Sequence, residues 1–386
     1  MAAPGNAPSS LTLDATFGSG SMTTDALLTS MLHKRPDISE IIFSPGRSPQ
    51  VEIHGQLIPV QGARLQSLTA DETRRVASDL IGNNKQAVTM LREQGFCDVS
   101  YGIARVARFR ANVFIQRGSC AVVMRVIPSN IPDLKSLGLP AHLAEIGSLR
   151  EGIVLVTGPR ASGKSSTLAA LLDCINEHQT CHIITIEDPI EFLHNHKRAT
   201  VHQRELHSDT PSFILALRAA LRQAPRVILV SEIRDQEILE LMLEAAESGH
   251  LVLSSLSTVD AVKTVERFVS MFESEQQLSV RARLAKTLRY VVSQRLIPRK
   301  DGNGRVAAIE ILHVDPQIRS CIEQDNHPSA SLSREMKRSS GNRTQHFDAA
   351  ISQLVRAGVV DIETALNHAS EPVELRQSLS DVPLQI

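Results

Sequence analysis

The chain has 386 residues, of which 42% are apolar, and its 41 Lys and Arg stand against 42 Asp and Glu for a net charge of −1. That length supports two or three domains with real cores, and the even charge balance speaks against a nucleic-acid partner held by bulk electrostatics. No apolar run reaches the roughly 18 residues of a membrane span, and no basic segment followed by an apolar stretch opens the chain as a secretory signal would. The cysteines Cys97, Cys120, Cys174, Cys181 and Cys321 form no CxxC pair, which fits reduced thiols in a cytoplasmic protein.

Residues 1–21 are rich in Gly, Ala and Ser and are expected to form a disordered lead. Residues 22–127 pattern as a small α+β domain. Within it "TTDALLTSMLH" is an amphipathic helix, "QVEIHGQLIPV" a hairpin turning at His54-Gly55, and 70–94 a helical stretch. "VARFRANVFIQ" alternates with period two. Phe109, Ala111, Val113 and Ile115 share one face, and Arg108, Arg110, Asn112 and Phe114 the other, as in a half-buried strand with two outward arginines. The prolines of "RVIPSNIPDL" place a linker over 128–140. The main domain is expected over 141–370. Its runs "GIVLVTG", "HIITIED", "RVILVSE" and "HLVLSSL" alternate with helical segments and are β-branched and continuous, like strands buried on both faces of a parallel sheet. After the first run, Leu168, Leu171, Leu172 and Ile175 line one helix face. "RYVVSQRLIPRKDGNGRVAAIEIL" reads as a hairpin, 325–346 as a loose loop, 347–357 and 361–369 as short helices, and 371–386 as a flexible tail.

The segment Gly158, Pro159, Arg160, Ala161, Ser162, Gly163, Lys164, Ser165, followed by Ser166, fits GxxxxGK[ST] between a buried strand and an amphipathic helix. In such a loop the backbone N–H groups and the helix N-terminus face the phosphates of ATP. Lys164 supplies a point charge and Ser165 a hydroxyl to Mg²⁺. Arg160 and Ala161 depart from the usual small, flexible residues. Alanine suits its place only if that place does not need a positive φ, and Arg160 either faces solvent or leans over the phosphates. Glu187 and Asp188 end a buried strand where a carboxylate can orient or deprotonate a water; Asp188 would alternatively cap a helix. Glu232 ends the strand "RVILVSE", the usual place for a carboxylate linked to Mg²⁺. Arg234 and Asp235 read equally as a surface ion pair.

These blocks occur in a familiar order. "ARFRANVFIQRG", "GIVLVTGP..SGKS", "HIITIEDPIEF", "QRELHSDT", "VILV.EIRD" and "AAE.GHLV" make residues 22–370 resemble the PilT-type pilus-retraction ATPases of the type II/type IV secretion ATPase superfamily. "IRSCIEQDN" matches that family only in Ile318, Arg319 and Ile322. The resemblance implies an α/β fold: a RecA-like core with a mostly parallel sheet, preceded by a smaller PAS-like α+β domain. It further implies a homo-oligomeric, hexameric ring placed in the cytoplasm or peripherally at the inner membrane. The implied partners are a pilus or secretion platform protein and a paralogous ATPase, with no nucleic acid.

Carried onto this chain, the resemblance makes Lys164 and Ser165 the ATP and Mg²⁺ residues, Glu187 the catalytic carboxylate and Glu232 the second one. Arg204 and Asp209 fall in the box after the acidic one, with Arg204 expected at the nucleotide. Arg108, Arg110 and Arg117 fall where the N-terminal domain supplies arginines to nucleotide, in part across subunits.

Three departures stand out. "ISEIIF" replaces an Asp-Leu-His segment, Arg160-Ala161 replaces Thr-Gly, and Ser257 stands at the family's histidine position, where imidazole would contact the γ-phosphate. Losing a hydrogen bond to a charged group costs roughly 1.5–3 kcal/mol, about ten- to a hundredfold in rate. Ser257 or Thr258 would otherwise cap the helix "TVDAVKTVERFV", in which Val259, Val262, Val265 and Phe268 have helical spacing.

The expected function is an ATP-hydrolysing motor of a type IV pilus or related machine, of the retraction kind. A slow or non-motor nucleotide-gated ring subunit is one alternative. A secretion or assembly ATPase of the GspE type is another, although such proteins usually carry a four-cysteine metal element that this chain lacks. A DNA translocase shares the core fold but sits poorly with the neutral charge.

Overall fold

A computed structural model describes residues 10–13, 23–53, 56–62, 65–104, 106–127, 130–302, 304–323, 328–338 and 343–380. The chain divides into two compact units, Met1–Asn130 and Ile131–Ile386.

The first unit contains β1 (Leu11–Thr12), α1 (Thr24–Lys34), β2 (Ile38–Phe43), β3 (Gln50–Ile53), β4 (Gln56–Gln61), α2 (Ala70–Ile81), α3 (Lys85–Gln94), β5 (Phe96–Ile103), β6 (Ala107–Gln116) and β7 (Ser119–Ile127). Its sheet has the order β1-β4-β3-β2-β7-β6-β5 and is antiparallel except where β1 runs parallel to β4. Met31, Ile41, Phe43, Phe109 and Met124 are fully buried in its core. Three local readings hold with refinements. The hairpin forms as β3–β4, with His54 and Gly55 outside the described residues. The 70–94 stretch splits in two, because Gly82 takes a φ of 53° and Asn84 caps a fresh helix. Phe109, Ala111 and Val113 are buried as the alternation requires, whereas Ile115 is 45% exposed: it lies at the strand's end, two residues before Arg117 turns the chain at a φ of 48°. The disordered lead is corrected at Leu11–Thr12. Leu11 and Leu13 are apolar at strand spacing, and burying both pays for the pairing with β4. Residues 1–9 and 14–21 lie outside the described residues.

The second unit contains a 3₁₀ segment (Ala141–Ser148), β8 (Gly152–Thr157), α4 (Lys164–His178), β9 (His182–Glu187), β10 (Thr200–Glu205), α5 (Phe213–Ala220), β11 (Val227–Val230), α6 (Gln236–Glu247), β12 (Leu251–Leu256), α7 (Ala261–Ser270), α8 (Ser274–Thr287), β13 (Leu288–Pro298), β14 (Arg305–His313), α9 (Pro316–Glu323), α10 (Pro328–Arg338), α11 (Phe347–Arg356), α12 (Ile362–His368) and α13 (Pro372–Ser378). The sheet order is β10-β9-β11-β12-β8-β13-β14, parallel except for the β13–β14 hairpin. β8, β11 and β12 are buried along their whole length, which is why their sequences are continuous rather than alternating. Leu168, Leu171, Leu172 and Ile175 of α4 are buried against one face of the sheet together with Leu139 and Leu143. The later part of the expected linker therefore packs onto this unit.

Two further expectations are overturned. The 325–346 loop contains α10, held by Leu332 and Met336, which lie one turn apart and are 1% exposed each. The 371–386 tail contains α13, whose Leu375, with Leu379 just beyond it, packs in a cluster with Phe347 and Ile351. Residues 381–386 lie outside the described residues.

Candidate functional site

In an open parallel sheet the crevice forms at the carboxyl ends of the strands. Here the ends of β8, β9, β11 and β12 bring Lys164, Ser165, Glu187, Glu232 and Ser257 around one cleft of about 230 Å³. The loop between β8 and α4 has the backbone its sequence demands. Gly158 takes a φ of 147°, and a Cβ there would lie 2.5 Å from both the Gln294 carbonyl oxygen and Ser162 Oγ, so only glycine fits. Ser162 is buried beneath the loop, Gly163 begins α4 at a φ of 92°, and no side chain caps that helix, so its N-terminal N–H groups face the cleft mouth. Ser166 stands in the first turn.

Ala161 is the surprise of the loop. Its φ is 59°, squarely left-handed, so the place does ask for a positive φ, and the expectation that alanine would be found only at a negative one fails. Arg160 is exposed on the rim of the cleft. Lys164 Nζ donates to the carbonyls of Gly158 and Pro159, both at 2.9 Å. Burial holds its pKa below the usual lysine range, opposed by the carboxylates of Glu232 and Glu191. Ser165 Oγ donates to Glu191 Oε1 at 3.0 Å.

Glu187 is set deep in the cleft. Burial pushes its pKa up to about 7, while donors from Thr185, Gln203 and the Glu191 backbone pull the other way. Thr185 Oγ1 and Gln203 Nε2 both donate to Glu187 Oε1, at 2.6 and 2.9 Å. Asp188 does not cap a helix: the chain after β9 is irregular, and Asp188 Oδ2 accepts from Arg234 Nη2 at 2.9 Å. Arg234 also lies over the Phe213 ring, and Asp235 caps α6 instead of pairing with its neighbour. Glu232 Oε1 accepts from Ser257 Oγ at 3.2 Å. Ser257 is exposed and is not the cap of α7, and neither is Thr258. That role belongs to Asp260, whose Oδ1 accepts from the Lys263 N–H at 2.6 Å. Val265 and Phe268 are buried on α7 as expected, whereas Val259 precedes the helix and is 52% exposed.

Two groups of expected residues stand elsewhere. Arg204 is on the edge strand β10, donates to the Asp209 carbonyl at 3.1 Å, and lines a separate cleft with His182, Ile184, His202 and Gln223. Arg108 and Arg110 are on β6 of the first unit, where Arg110 Nε lies 4.0 Å from Asp98 Oδ1. Sequence reasoning missed Glu191, although it stands in the quoted "EDPIE", and missed Gln203, which heads "QRELHSDT". Only the β9–β10 pairing shows where the Gln203 amide points.

The cleft offers hydroxyl and carboxylate oxygens at Ser165 and Glu232 beside an uncapped helix N-terminus. Hard oxygen donors next to a phosphate site fit Mg²⁺, and the cationic loop fits a nucleotide polyphosphate.

Residues 99–367 match the family model described as "Type II/IV secretion system protein". The chain is 40% identical over 322 residues to the twitching motility protein of Neisseria gonorrhoeae, covering 83% of this chain and 84% of that protein. It is likewise 40% identical over 334 residues to the type IV pilus retraction ATPase PilT of Pseudomonas aeruginosa, covering 86% of this chain and 95% of the relative. A crystal structure of the pilus retraction motor PilT with bound ADP superposes with a TM-score of 0.83 at 38% identity, over 92% of this chain and 100% of the other. With the phosphate loop, the acidic strand ends and the RecA-like sheet in place, these likenesses decide its kinship: the chain belongs to the type II/IV secretion system protein family.

Proposed function

We propose that the chain is an ATP-hydrolysing motor subunit of a type IV pilus or related secretion machine, of the retraction kind, working as a homo-hexameric ring. The observation that carries this reading is the convergence of Lys164, Ser165, Glu187 and Glu232 on one cleft in a chain so similar to PilT. Lys164 and the N-terminus of α4 bind the phosphates. Ser165 and Glu232 would hold Mg²⁺, which would supply positive charge to offset that of the phosphates. Glu187, with a pKa of about 7, accepts the proton of the attacking water. Arg234 holds Asp188 aside from that task.

A site at the edge of a RecA-like core needs charge from a neighbouring subunit, and Arg108 and Arg110 are the arginines we assign to that role. The ring works against an inner-membrane platform protein and alongside a paralogous ATPase, in the cytoplasm or at the membrane face. Among the described residues no helix is long and apolar enough to cross a membrane.

Steady-state ATPase and binding of a fluorescent ATP analogue test the assignment: Lys164→Ala should abolish both, and unchanged binding would sink it. Mixing Glu187→Gln subunits with Arg110→Ala subunits should restore partial activity. Full activity in a monomer would contradict the ring.

A second reading, a slow nucleotide-gated ring subunit, is favoured by Ser257, whose neutral hydroxyl is spent on Glu232, and by the left-handed Ala161.

A further inference from the structure

The water-side carboxylate is not held by its own strand alone. Gln203 on β10 lies directly opposite Thr185 on β9 in the parallel register, so both side chains meet the same stretch of sheet face. Both donate to one atom, Glu187 Oε1. The second N–H of the Gln203 amide goes to the Phe192 carbonyl at 2.9 Å, and Gln203 Oε1 accepts from the His194 backbone N–H at 2.8 Å. This set fixes the amide's orientation, because a flip would face two acceptors with an oxygen and a donor with an NH₂ group.

The segment tied down this way has no regular structure between β9 and β10, and it carries Glu191, the partner of Ser165. Its far end is pinned separately by Asn176 of α4, through Asn195 and Lys197. A carboxylate offers about four lone-pair positions. Thr185, Gln203 and the Glu191 backbone use three of them, which leaves room for a water proton.

We propose that Gln203 is a positioning residue for hydrolysis: its amide sets the rotamer of Glu187 and couples it to the arm bearing Glu191. The proposal rests on the reading of Glu187 as the base. Besides Glu191, the charged or titratable groups lining the same cleft are Lys164, Arg160, Asp188, Glu232 and His194. Of these only His194 bonds the amide, and it does so through its backbone N–H, so withdrawing the amide removes that bond and leaves the side-chain contacts of the others in place.

The test uses the full chain and compares the parent with Gln203→Met, Gln203→Asn, Glu187→Gln and the Gln203→Met/Glu187→Gln double variant. Methionine keeps the length without the bonds, and asparagine keeps the amide one methylene short. Both Gln203 single variants should lower the single-turnover hydrolysis rate about ten- to a hundredfold. Affinity for a fluorescent ATP analogue should stay that of the parent, and the double variant should be no slower than Glu187→Gln alone. Rate and affinity falling together, or a further loss in the double variant equal to that in the parent, would overturn the proposal as a mere fold effect.

A parent that hydrolyses nothing would fail the ATPase reading instead. The positioning claim is then decided by the ¹³C carboxyl signal of labelled glutamate that vanishes in Glu187→Gln. In Gln203→Met that signal should titrate higher by about one pH unit, since a donor to the charged form has been withdrawn. An unmoved midpoint overturns the proposal.

Discussion

Ser257→His is the change whose outcome separates a weakened motor from a site limited elsewhere. Ser257 follows β12 at the cleft, is exposed, and donates to Glu232 at 3.2 Å. Imidazole has room there, and no cap is lost, because Asp260 serves α7. Stability should therefore move by no more than about 0.5 kcal/mol, whereas loss of a cap would cost about 1 kcal/mol. A histidine donor reaching the γ-phosphate would form a hydrogen bond to a charged group, worth roughly 1.5–3 kcal/mol. Felt wholly in the transition state, that is about ten- to a hundredfold in rate. Part of it is offset by releasing the Glu232 bond, so a severalfold rise in steady-state ATPase is expected, with Tm unchanged. Ser257→Ala is the control and should not raise the rate. A Ser257→His variant that melts like the parent and hydrolyses no faster would refute the reasoning and move attention to Arg160 and Ala161.

Glu187 must be ionised to accept a proton, and burial raises its pKa to about 7, so kcat/KM should climb as pH rises from 6 to 8 and level off above; a flat profile over that range would remove it as the base. Glu310 is buried on β14, accepts from the Ala261 N–H at 2.8 Å and has its pKa raised by burial to about 7. The folded chain therefore holds that proton more tightly than the unfolded chain does, and the stability from this group is lost as pH rises through about 7. Glu310→Gln should accordingly gain in Tm relative to the parent at pH 8 more than at pH 5, and the opposite ordering would mean the carboxylate is well compensated. Ala161→Gly relieves a left-handed alanine, worth about 1–2 kcal/mol, against roughly 0.4–1 kcal/mol lost to a freer unfolded chain; Tm should rise slightly, and a clear fall would show that the methyl group has a packing role.

The sequence was most informative where one physical demand acted alone. Runs such as "VILV" and "LVLSSL" are continuous because both faces of the strand are covered, and the phosphate loop declares itself through Gly158, where a Cβ would clash, and Gly163, held at a positive φ. It was silent where two demands mixed. β10 reads "TVHQRE": an edge strand buries only Val201 and Glu205, so neither alternation nor a run appears, and nothing in it shows that Arg204 faces a different cleft. α10 rests on Leu332 and Met336 in an otherwise polar stretch, too few apolar positions to show a period. The φ of Ala161 is imposed by closure of the loop, which leaves no mark on the residue type. Gln203 and Glu191 become functional through pairing across 16 residues and across a cleft, and that information lies in the topology rather than in any local pattern.

The grip of Lys164 on its own loop sets the terms on which a phosphate is received. An ammonium has three protons to give, and two are already committed to the Gly158 and Pro159 carbonyls. An incoming γ-oxygen meets one uncommitted proton and must compete for the others. Its gain is thus the difference between a phosphate and a peptide carbonyl as acceptor, rather than the whole strength of a new bond. The same tether keeps the charge at the loop's mouth, spares the side chain most of the ordering it would otherwise undergo on contact, and makes the lysine a latch that changes hands instead of an arm that searches.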